Sequence, residues 1–486
     1  MCEGSGPISP EFAETHSALL VFIGDRVFKI KKPVDFGFLD FSTPESRSRA
    51  CRRELELNRR LAPDVYFGTA DVAGEDGVVC DTMLVMRRLP TERRLRELLA
   101  GGQDVTGALH AVARQVVMLH ERSVPDPTME LVGRRDVVRQ RWTDGFAQMK
   151  LLPAGLIEPS VQERIERLAI EFLEGREPLF ELRRAQGHIR DGHGDLMAED
   201  IFVLDDGPRI IDCLDFNDEL RWGDVLLDVA FLAMDLERLG HPAAAAVFLD
   251  HYRELSADSW SLSLLHHYIA YRAHVRAKVS ALRAAQDRST ADDTVERLQA
   301  LCLKHLEAGR VRLIVVGGAP GTGKSTVAAD IGQRLGAVVL RTDEIRSDDS
   351  SVAVDGTMGV DRYSDTNVDL TYERMIERAN VLLRRGESVV LDATWASERH
   401  RHLARSVATS AVTPLVELRC VASDAECDRR IVARLAAGVD PSEATVAVAR
   451  AMRGRFEAWP TSVSIDTGRS VAEAVESANS TIELQR

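Results

Sequence analysis

The sequence predicts two domains, an α+β domain with a small β lobe and a helical lobe, followed by an α/β domain with a parallel sheet. The chain has 486 residues, more than one hydrophobic core usually holds. Short paired strands near the N-terminus give way to long amphipathic helices from about residue 104. Beyond about residue 309, apolar runs alternate with helices, which is typical of a parallel sheet covered by helices. We predict a disordered lead-in over 1–15, a first domain over 16–305 and a second over 310–486.

Composition and charge narrow the class of protein. Hydrophobic residues make up 45% of the chain and charged residues 28%, as in an ordinary globular protein. A formal charge of −14 argues against nucleic acid or an anionic membrane as a general partner. The seven cysteines form no C-x-x-C pair, which fits a reducing compartment. Since no apolar run has transmembrane length, we expect a cytoplasmic protein without a membrane partner.

The elements of the first domain follow from local patterns. Two apolar runs around Gly24 and Asp25, "SALLVFIGDRVFKIK", predict a hairpin. The run "FVLDDGPRIID" predicts a second hairpin, because Asp-Asp-Gly separates two apolar stretches. Most of the other residues of this domain show helical patterns. We predict a helix over 44–61, a strand over 81–90, helices over 106–121, 135–150 and 159–175, strands within 201–216, and further helices from 223 to 307.

In the second domain, "RLIVVGG" predicts a buried strand that leads into a phosphate-binding loop. The loop fits G-x-x-x-x-G-K-[ST] without a mismatch and lies between a predicted strand and a predicted helix, the context that the motif requires. Its backbone amides, lysine and hydroxyl would bind phosphates and Mg²⁺, so we predict an ATP site of the P-loop NTPase type. Further strands are predicted over 337–343, 388–394, 415–421 and 462–466. The predicted nucleotide-binding residues are Gly318, Ala319, Pro320, Gly321, Thr322, Gly323, Lys324, Ser325 and Thr326, with Lys324 also catalytic and Ser325 also a metal ligand.

Two aspartates lie at the ends of later strands of this domain. Asp343 ends the second strand and Asp392 ends "VVLDAT", so both are predicted at the edge of the sheet where ligands bind. We predict that Asp392 ligates Mg²⁺ and that Arg430, from a later arginine-rich helix, binds the nucleotide phosphates. Asp343 could instead cap a helix, and each arginine could lie on a solvated helix face.

This region, about 311–468, resembles the small P-loop kinases grouped with polynucleotide kinases, gluconate-type kinases and zeta toxins. The resemblance implies that Asp343 is the base that activates the acceptor hydroxyl and that Arg346 helps to hold the acceptor. The stretch "DPSEAT" is similar to a Ser-Asp-Ala segment of those proteins, with Glu443 in place of the aspartate.

The first domain offers the parts of a protein-kinase-like site in order. Such a site needs a strand lysine for the phosphates and a helix glutamate that holds the lysine. Lys29 lies on the second strand of the first hairpin, and Glu54 lies on the next helix. Lys31 shares the face of Lys29 by period-two alternation, so either lysine can be the phosphate ligand. A plain surface ion pair is the alternative for Lys29 and Glu54.

The acids of such a site follow in the stretch "GHGDLMAEDIFVL" and after it. Asp195 stands two residues after His193, as H-G-D in place of H-R-D, and is the predicted catalytic residue. Asp200 stands five residues later, where kinases usually have asparagine, and Asp212 ends "RIID". We predict that Asp200 and Asp212 ligate Mg²⁺.

Together these features resemble the aminoglycoside phosphotransferase family over about 16–290. The runs "VFKIKKPVDFGFLDFSTPE" and "CLDFNDELRWGDVLLDVAFLAMDLE" resemble a subfamily that adds a C-terminal P-loop domain, often described as bifunctional aminoglycoside phosphotransferase/ATP-binding proteins. In the same region, Asp224 and Asp228 are predicted as helix caps and loop braces, not as ligands.

The predicted function is phosphotransfer that depends on ATP and Mg²⁺, at two nucleotide sites, to hydroxyls of small-molecule acceptors that the sequence does not identify. In one alternative, only one domain is a kinase and the other binds or hydrolyses ATP as a regulatory module. In another, the P-loop domain phosphorylates nucleic-acid ends, which the acidic net charge disfavours. The sequence leaves the oligomeric state open.

Overall fold

The structure is a computed structural model that describes residues 10–15, 17–35, 40–153, 155–287, 293–350, 365–437 and 445–484. The chain forms two compact units that alternate along the sequence. The first unit comprises Met1–Ile157, Leu182–Ser259 and Tyr268–Cys302, and the second comprises Glu158–Glu181, Trp260–His267 and Leu303–Arg486. The predicted division near residues 305–310 differs from this, because two segments before it belong to the second unit. Helical periodicity shows which face of a helix is apolar, but not which core that face joins.

The first unit contains a five-stranded antiparallel sheet in the order β1-β2-β3-β5-β4. The hairpin β2–β3 turns at Gly24, whose φ of +58° suits glycine. The second predicted hairpin is also present, as β7–β8, and β6 pairs with β9. The strands are β1 Glu11–Glu14, β2 Ala18–Ile23, β3 Arg26–Lys31, β4 Tyr66–Ala73, β5 Val79–Arg87, β6 Ile189–Asp191, β7 Ile201–Leu204, β8 Gly207–Ile210 and β9 Trp222–Asp224.

Strand β1 lies in the segment that we expected to be a disordered lead-in. Its residues Glu11–Glu14 pair antiparallel with β2, although all four are exposed. A strand held mainly by its backbone hydrogen bonds leaves little hydrophobic pattern in the sequence, and this explains why it was missed.

The helices of the first part agree closely with the predicted ones. The charged helix α1 begins at Pro44, and the Thr43 side chain caps it by accepting a hydrogen bond from the Ser46 amide. The helices up to residue 308 are α1 Pro44–Asn58, α2 Leu95–Ala100, α3 Thr106–Arg122, α4 Pro127–Leu131, α5 Arg135–Lys150, α6 Pro159–Glu174, α7 Glu177–Ala185, α8 Asp218–Arg221, α9 Val225–Arg238, α10 Pro242–Ser256, α11 Leu262–Asp287 and α12 Asp293–Ala308.

The second unit is built on a five-stranded parallel sheet in the order β11-β12-β10-β13-β14. Its first strand, β10, is central and fully buried, as the apolar run predicted. The remaining elements are β10 Leu313–Gly317, α13 Lys324–Leu335, β11 Val338–Arg341, α14 Thr342–Ser350, α15 Asp365–Arg384, β12 Val389–Asp392, α16 Glu398–Ser410, β13 Leu415–Val421, α17 Asp424–Ala437, α18 Val446–Gly454, β14 Val463–Asp466 and α19 Val471–Leu484. Among the described residues, no helix has both the length and the apolar character needed to span a membrane.

Candidate active sites

The lysine and glutamate predicted in the first unit form a buried ion pair. Lys29 Nζ lies 2.8 Å from Glu54 Oε1 and 3.1 Å from Asp212 Oδ1. The Glu54 side chain is only 1% exposed, so this is not a surface pair. Burial opposes ionisation of Glu54, but the two nearby lysines outweigh it and lower its pKa to about 2. The strand lysine, the helix glutamate and the loop aspartate are therefore assembled in one contact network.

Lys31 has a different place in this network. Its Nζ lies 2.7 Å from Glu54 Oε2 and 2.8 Å from Asp215 Oδ2, and its side chain is buried. Of these two lysines, Lys29 is the one that reaches both Glu54 and Asp212. The geometry thus favours Lys29 as the phosphate lysine and gives Lys31 the position of a buried brace, a distinction that period-two alternation could not make.

Asp212 lies close enough to Asp195 and Asp200 to raise the pKa of both. Burial raises the pKa of Asp200 well above its usual value, and the charges of Asp212, Glu199 and Asp195 raise it further. Burial also raises the pKa of Asp195, to about 6, against the opposing charge of Arg276. Such mutual repulsion would be relieved by a cation between the carboxylates.

The carboxylates of Asp195, Asp200 and Asp212 can be compared with the ligands that Mg²⁺ usually takes. The described residues contain no cluster of three or more His, Cys, Asp or Glu side chains arranged to hold a metal ion. Mg²⁺ commonly takes only one or two carboxylates and completes its shell with phosphate oxygens and water. Asp200 and Asp212 supply two carboxylates, the number that Mg²⁺ commonly takes when phosphate oxygens and water complete its shell.

The loop that carries Asp195 is held by a buried aspartate on α9. Asp228 accepts hydrogen bonds from the backbone amides of His193 and Gly194, each at 2.8 Å, and contacts His120 Nε2 at 3.0 Å. A Cβ at Gly192 would lie 2.5 Å from Asp228 Oδ2, so this close approach requires glycine. Asp228 is thus a loop brace, as predicted.

Asp224 has the other predicted role, that of a helix cap. Its side chain accepts a hydrogen bond from the Leu226 amide at the start of α9. It also pairs with the buried Arg183 at 2.7 Å.

The phosphate-binding loop of the second unit has the backbone that its glycines imply. Gly318, Gly321 and Gly323 have φ values of +147°, +87° and +79°. A Cβ at Gly321 would lie 2.6 Å from the Cys427 carbonyl oxygen. Helix α13 begins at Lys324, directly after the loop, so its unpaired N-terminal amides lie where a phosphate would bind.

Asp392 lies beside this loop at the end of β12. Strands β10 and β12 are parallel neighbours in which Val316 is paired with Asp392. Asp392 is 3% exposed, and its Oδ2 lies 3.2 Å from Arg341 Nε. Its buried Oδ1 accepts no hydrogen bond from the described residues. An unsatisfied buried carboxylate oxygen next to the loop fits the proposed metal role, and Arg341 is a site residue that the sequence reasoning missed.

Asp343 lies in the first turn of α14, because β11 ends at Arg341, before the predicted end of the strand at residue 343. Its Oδ1 lies 3.0 Å from Arg346 Nη1. The two residues assigned to the acceptor are therefore adjacent. Glu443 lies outside the described residues.

Arg430 is in contact with the phosphate-binding loop. Its Nη2 donates to the Thr467 carbonyl at 2.8 Å and its Nη1 to the Gly321 carbonyl at 3.5 Å. By contrast, Arg401 is fully buried and donates to backbone carbonyls, including that of Trp395 at 2.8 Å, so its role is structural. The sequence alone does not distinguish these two environments.

Comparisons with known proteins found a family match in each of the two parts of the chain. The model of the phosphotransferase enzyme family matches residues 24–265, and that of an AAA domain matches residues 313–459. An uncharacterized protein of Mycobacterium tuberculosis is 40% identical over 469 residues, which cover 95% of this chain and 94% of that protein.

Two of the solved structures that match parts of the chain are a kinase family protein and a gluconokinase. A choline/ethanolamine kinase family protein from Mesorhizobium loti is 14% identical, with a TM-score of 0.40, and covers 62% of this chain and 92% of its own. A gluconokinase from Sinorhizobium meliloti is 17% identical, with a TM-score of 0.29, and covers 36% of this chain and 92% of its own.

Proposed function

The chain belongs to a family that joins a phosphotransferase enzyme domain to an AAA domain, and on this premise we propose that it is an ATP- and Mg²⁺-dependent phosphotransferase with two nucleotide sites. The observation that carries the proposal is the contact of Lys29 with both Glu54 and Asp212. That contact joins a strand, a helix and a loop in the arrangement that phosphate binding needs. The acceptors are small molecules that carry a hydroxyl group.

In the N-terminal site, Lys29 binds the phosphates of ATP and Glu54 fixes its position. The acceptor oxygen attacks the γ-phosphorus, and its proton passes to the Asp195 carboxylate. The bond from the γ-phosphorus to the β,γ-bridging oxygen breaks, and ADP leaves with the electron pair. Asp200 and Asp212 hold Mg²⁺, which neutralises charge on the phosphates. The protein contributes mainly position and charge.

In the C-terminal site, the amides of the loop from Gly318 to Ser325 and the Lys324 ammonium bind the phosphates of a second ATP. Ser325 and Asp392 hold its Mg²⁺. Asp343 takes the proton of the second acceptor, with Arg346 beside it to orient the acceptor. Arg430 supports the loop from the side of α17 and supplies positive charge near the phosphates.

We place the reaction in the cytoplasm. Cytoplasm supplies ATP and Mg²⁺ and keeps thiols reduced. The six cysteines of the described residues are free, in agreement with that environment.

The test is ADP release from ATP and Mg²⁺ by the full chain, with and without pools of hydroxylated metabolites. We compare the natural chain with the Asp195→Ala and Lys324→Ala variants, and with Asp205→Ala as a control for an exposed acid. Asp205 lies in the β7–β8 turn and its side chain is 98% exposed. Each site variant should remove a separate part of the turnover, and the control should remove none. Loss of all turnover in Lys324→Ala alone would contradict an active N-terminal site.

A further inference from the structure

The catalytic aspartate of the N-terminal site has arginine side chains beside it. Arg276 Nη1 lies 3.9 Å from Asp195 Oδ1, and the Arg276 side chain is 20% exposed. Arg272 lies one turn earlier on α11 and therefore on the same face of the helix. It is buried, donates from Nε to the Leu227 carbonyl at 3.0 Å, and lies over the Phe231 ring. A basic helix face thus borders the place where an acceptor hydroxyl must approach.

Arg272 and Arg276 differ in how many partners their guanidinium groups already contact. Arg272 is held by a carbonyl and a ring, and Asp228 is near enough to affect its pKa. Arg276 makes no hydrogen bond with any described residue, and its ion pair with Asp195 is long. Its guanidinium therefore has donors available for a ligand.

The sequence of α11 strengthens this basic character. Residues 268–286 contain Arg272, Arg276, Lys278 and Arg283 but no aspartate or glutamate, in a chain whose net charge is −14. The carboxylates near Asp195 come instead from the loops that are proposed to bind the metal and nucleotide, at Glu199, Asp200 and Asp212. The site therefore has an acidic side for the metal and a basic side formed by α11.

Packing keeps this part of α11 in a fixed position. His274 is buried against Trp142 and Phe146 of α5, with ring centroids 5.0 Å and 4.9 Å apart. A Cβ at Gly145 would lie 2.8 Å from His274 Nε2, which shows how closely the two helices approach. The backbone that carries Arg276 is thus held in place by packing, which lowers the entropic cost of binding an anion there.

A cation next to Asp195 disfavours the proton transfer proposed for that residue, because it stabilises the ionised carboxylate. Arg276 therefore lowers the basicity of Asp195 while it helps to keep that carboxylate ionised, and neither effect uses all of the donors of its guanidinium. Arginine forms paired hydrogen bonds with carboxylate and phosphate groups, and a polycation at the same place would be repelled.

We propose that Arg276 binds an anionic group of the acceptor, so that the N-terminal site phosphorylates a hydroxyl compound that also carries a phosphate or carboxylate group. This inference rests on the proposed phosphotransfer at Asp195. It assigns a substrate class to the site and excludes polycationic aminosugars as its preferred acceptors.

The test uses the full chain with Lys324→Ala, so that ADP release reports the N-terminal site. Four pools are supplied separately: sugar phosphates including glucose 6-phosphate, sugar acids including gluconate, neutral sugars and polyols, and aminosugars including kanamycin. Turnover that is lost in Asp195→Asn should appear with the first or the second pool, and the responding pool distinguishes phosphate from carboxylate. If only neutral sugars or aminosugars give such turnover, the inference is wrong while the proposed function stands. If no pool gives turnover that depends on Asp195, the proposed function of this site is wrong.

Variants of Arg276 separate acceptor binding from nucleotide binding. Arg276→Met should raise the KM for the anionic acceptor about 10- to 100-fold, as expected for a lost charged hydrogen bond, and leave the KM for ATP within about twofold. Arg276→Lys keeps the charge but not the paired donors, so it should restore part of the affinity. Arg253→Met is the control, because Arg253 lies exposed on α10 and pairs with Asp250. An increase in the KM for ATP instead of the acceptor would overturn the assignment, and unchanged melting temperatures show that the variants are folded.

Discussion

The substitution Lys31→Met tests the buried network behind the proposed phosphate lysine. It would leave Asp215 without its lysine and remove one of the two lysines bound to Glu54. The pKa of Lys31 is raised from 10.5 to about 12, which corresponds to about 2 kcal/mol in favour of the charged form. Removing one partner of a buried ion pair typically costs about 3–5 kcal/mol. We therefore expect the local free energy of unfolding to fall by about 2–5 kcal/mol.

The pH of the measurement follows from the direction of the pKa shift. A lysine whose pKa is raised on folding contributes its full stabilisation below its unfolded pKa, and that contribution is lost as the pH rises through about 12. At pH 7.5 the whole effect should therefore be present. Hydrogen exchange of peptides covering β3 and α1 measures it directly, without the assumption that two units unfold together.

Lys32→Met provides the matched control for this measurement. Lys32 is the next residue, lies nearer the surface and pairs with the exposed Glu14. Its loss should change the local stability by less than about 1 kcal/mol. The double variant Lys31→Met/Asp215→Asn should recover part of the loss, because it leaves no aspartate charge unpaired. Equal exchange rates in Lys31→Met and Lys32→Met would refute the view that Lys31 is a buried brace.

Three further results are expected. Asp228→Ala removes the acceptor of the His193 and Gly194 amides, so kcat of the N-terminal site should fall at least tenfold, about the value of one or two hydrogen bonds, with a smaller change in the KM for ATP; an unchanged kcat in steady-state kinetics would show that the loop needs no such brace. Gly321→Ala introduces a side chain where φ is +87° and the Cys427 carbonyl is 2.6 Å away, so turnover that depends on Lys324 should be lost while turnover that depends on Asp195 remains. Because Asp195 must be ionised and its pKa is raised to about 6, kcat/KM of the N-terminal site should fall as the pH drops below about 6, and a pH profile that stays flat to pH 4.5 would contradict its role.

The sequence predicted best the features that depend on neighbouring residues. The phosphate-binding loop, both hairpins and the parallel strands each depend on a turn or a hydrophobic period that a short window contains. The positions of Asp195, Asp200 and Asp212 followed from their spacing after His193 and from the hairpin between them. The pairing of Lys29 with Glu54 was predicted either as part of a kinase-like site or as a plain surface ion pair, and the burial of Glu54 excludes the surface pair.

Features that depend on distant contacts were not predictable in the same way. Asp215 binds Lys31 across 184 residues, and Arg341 contacts Asp392 across 51 residues. Neither contact leaves a local pattern. Helix α6 has an apolar stripe of the usual period, yet it belongs to the second unit. A hydrophobic period identifies the buried face of a helix. The element against which that face packs depends on the tertiary fold.

Both candidate sites contain the same electrostatic arrangement. In each, a basic side chain lies against the carboxylate that is proposed to hold the metal: Lys29 at 3.1 Å from Asp212, and Arg341 at 3.2 Å from Asp392. At Asp392, which is 3% exposed, the pair avoids a lone buried charge, which would be costly, whereas the Asp212 side chain is 56% exposed and remains partly solvated. On the proposed function, Asp212 and Asp392 would hold Mg²⁺ in place of the base, and the base would then be available to bind phosphate. Binding then exchanges one set of ion pairs for another, so metal and nucleotide should bind cooperatively, and each alone should bind weakly.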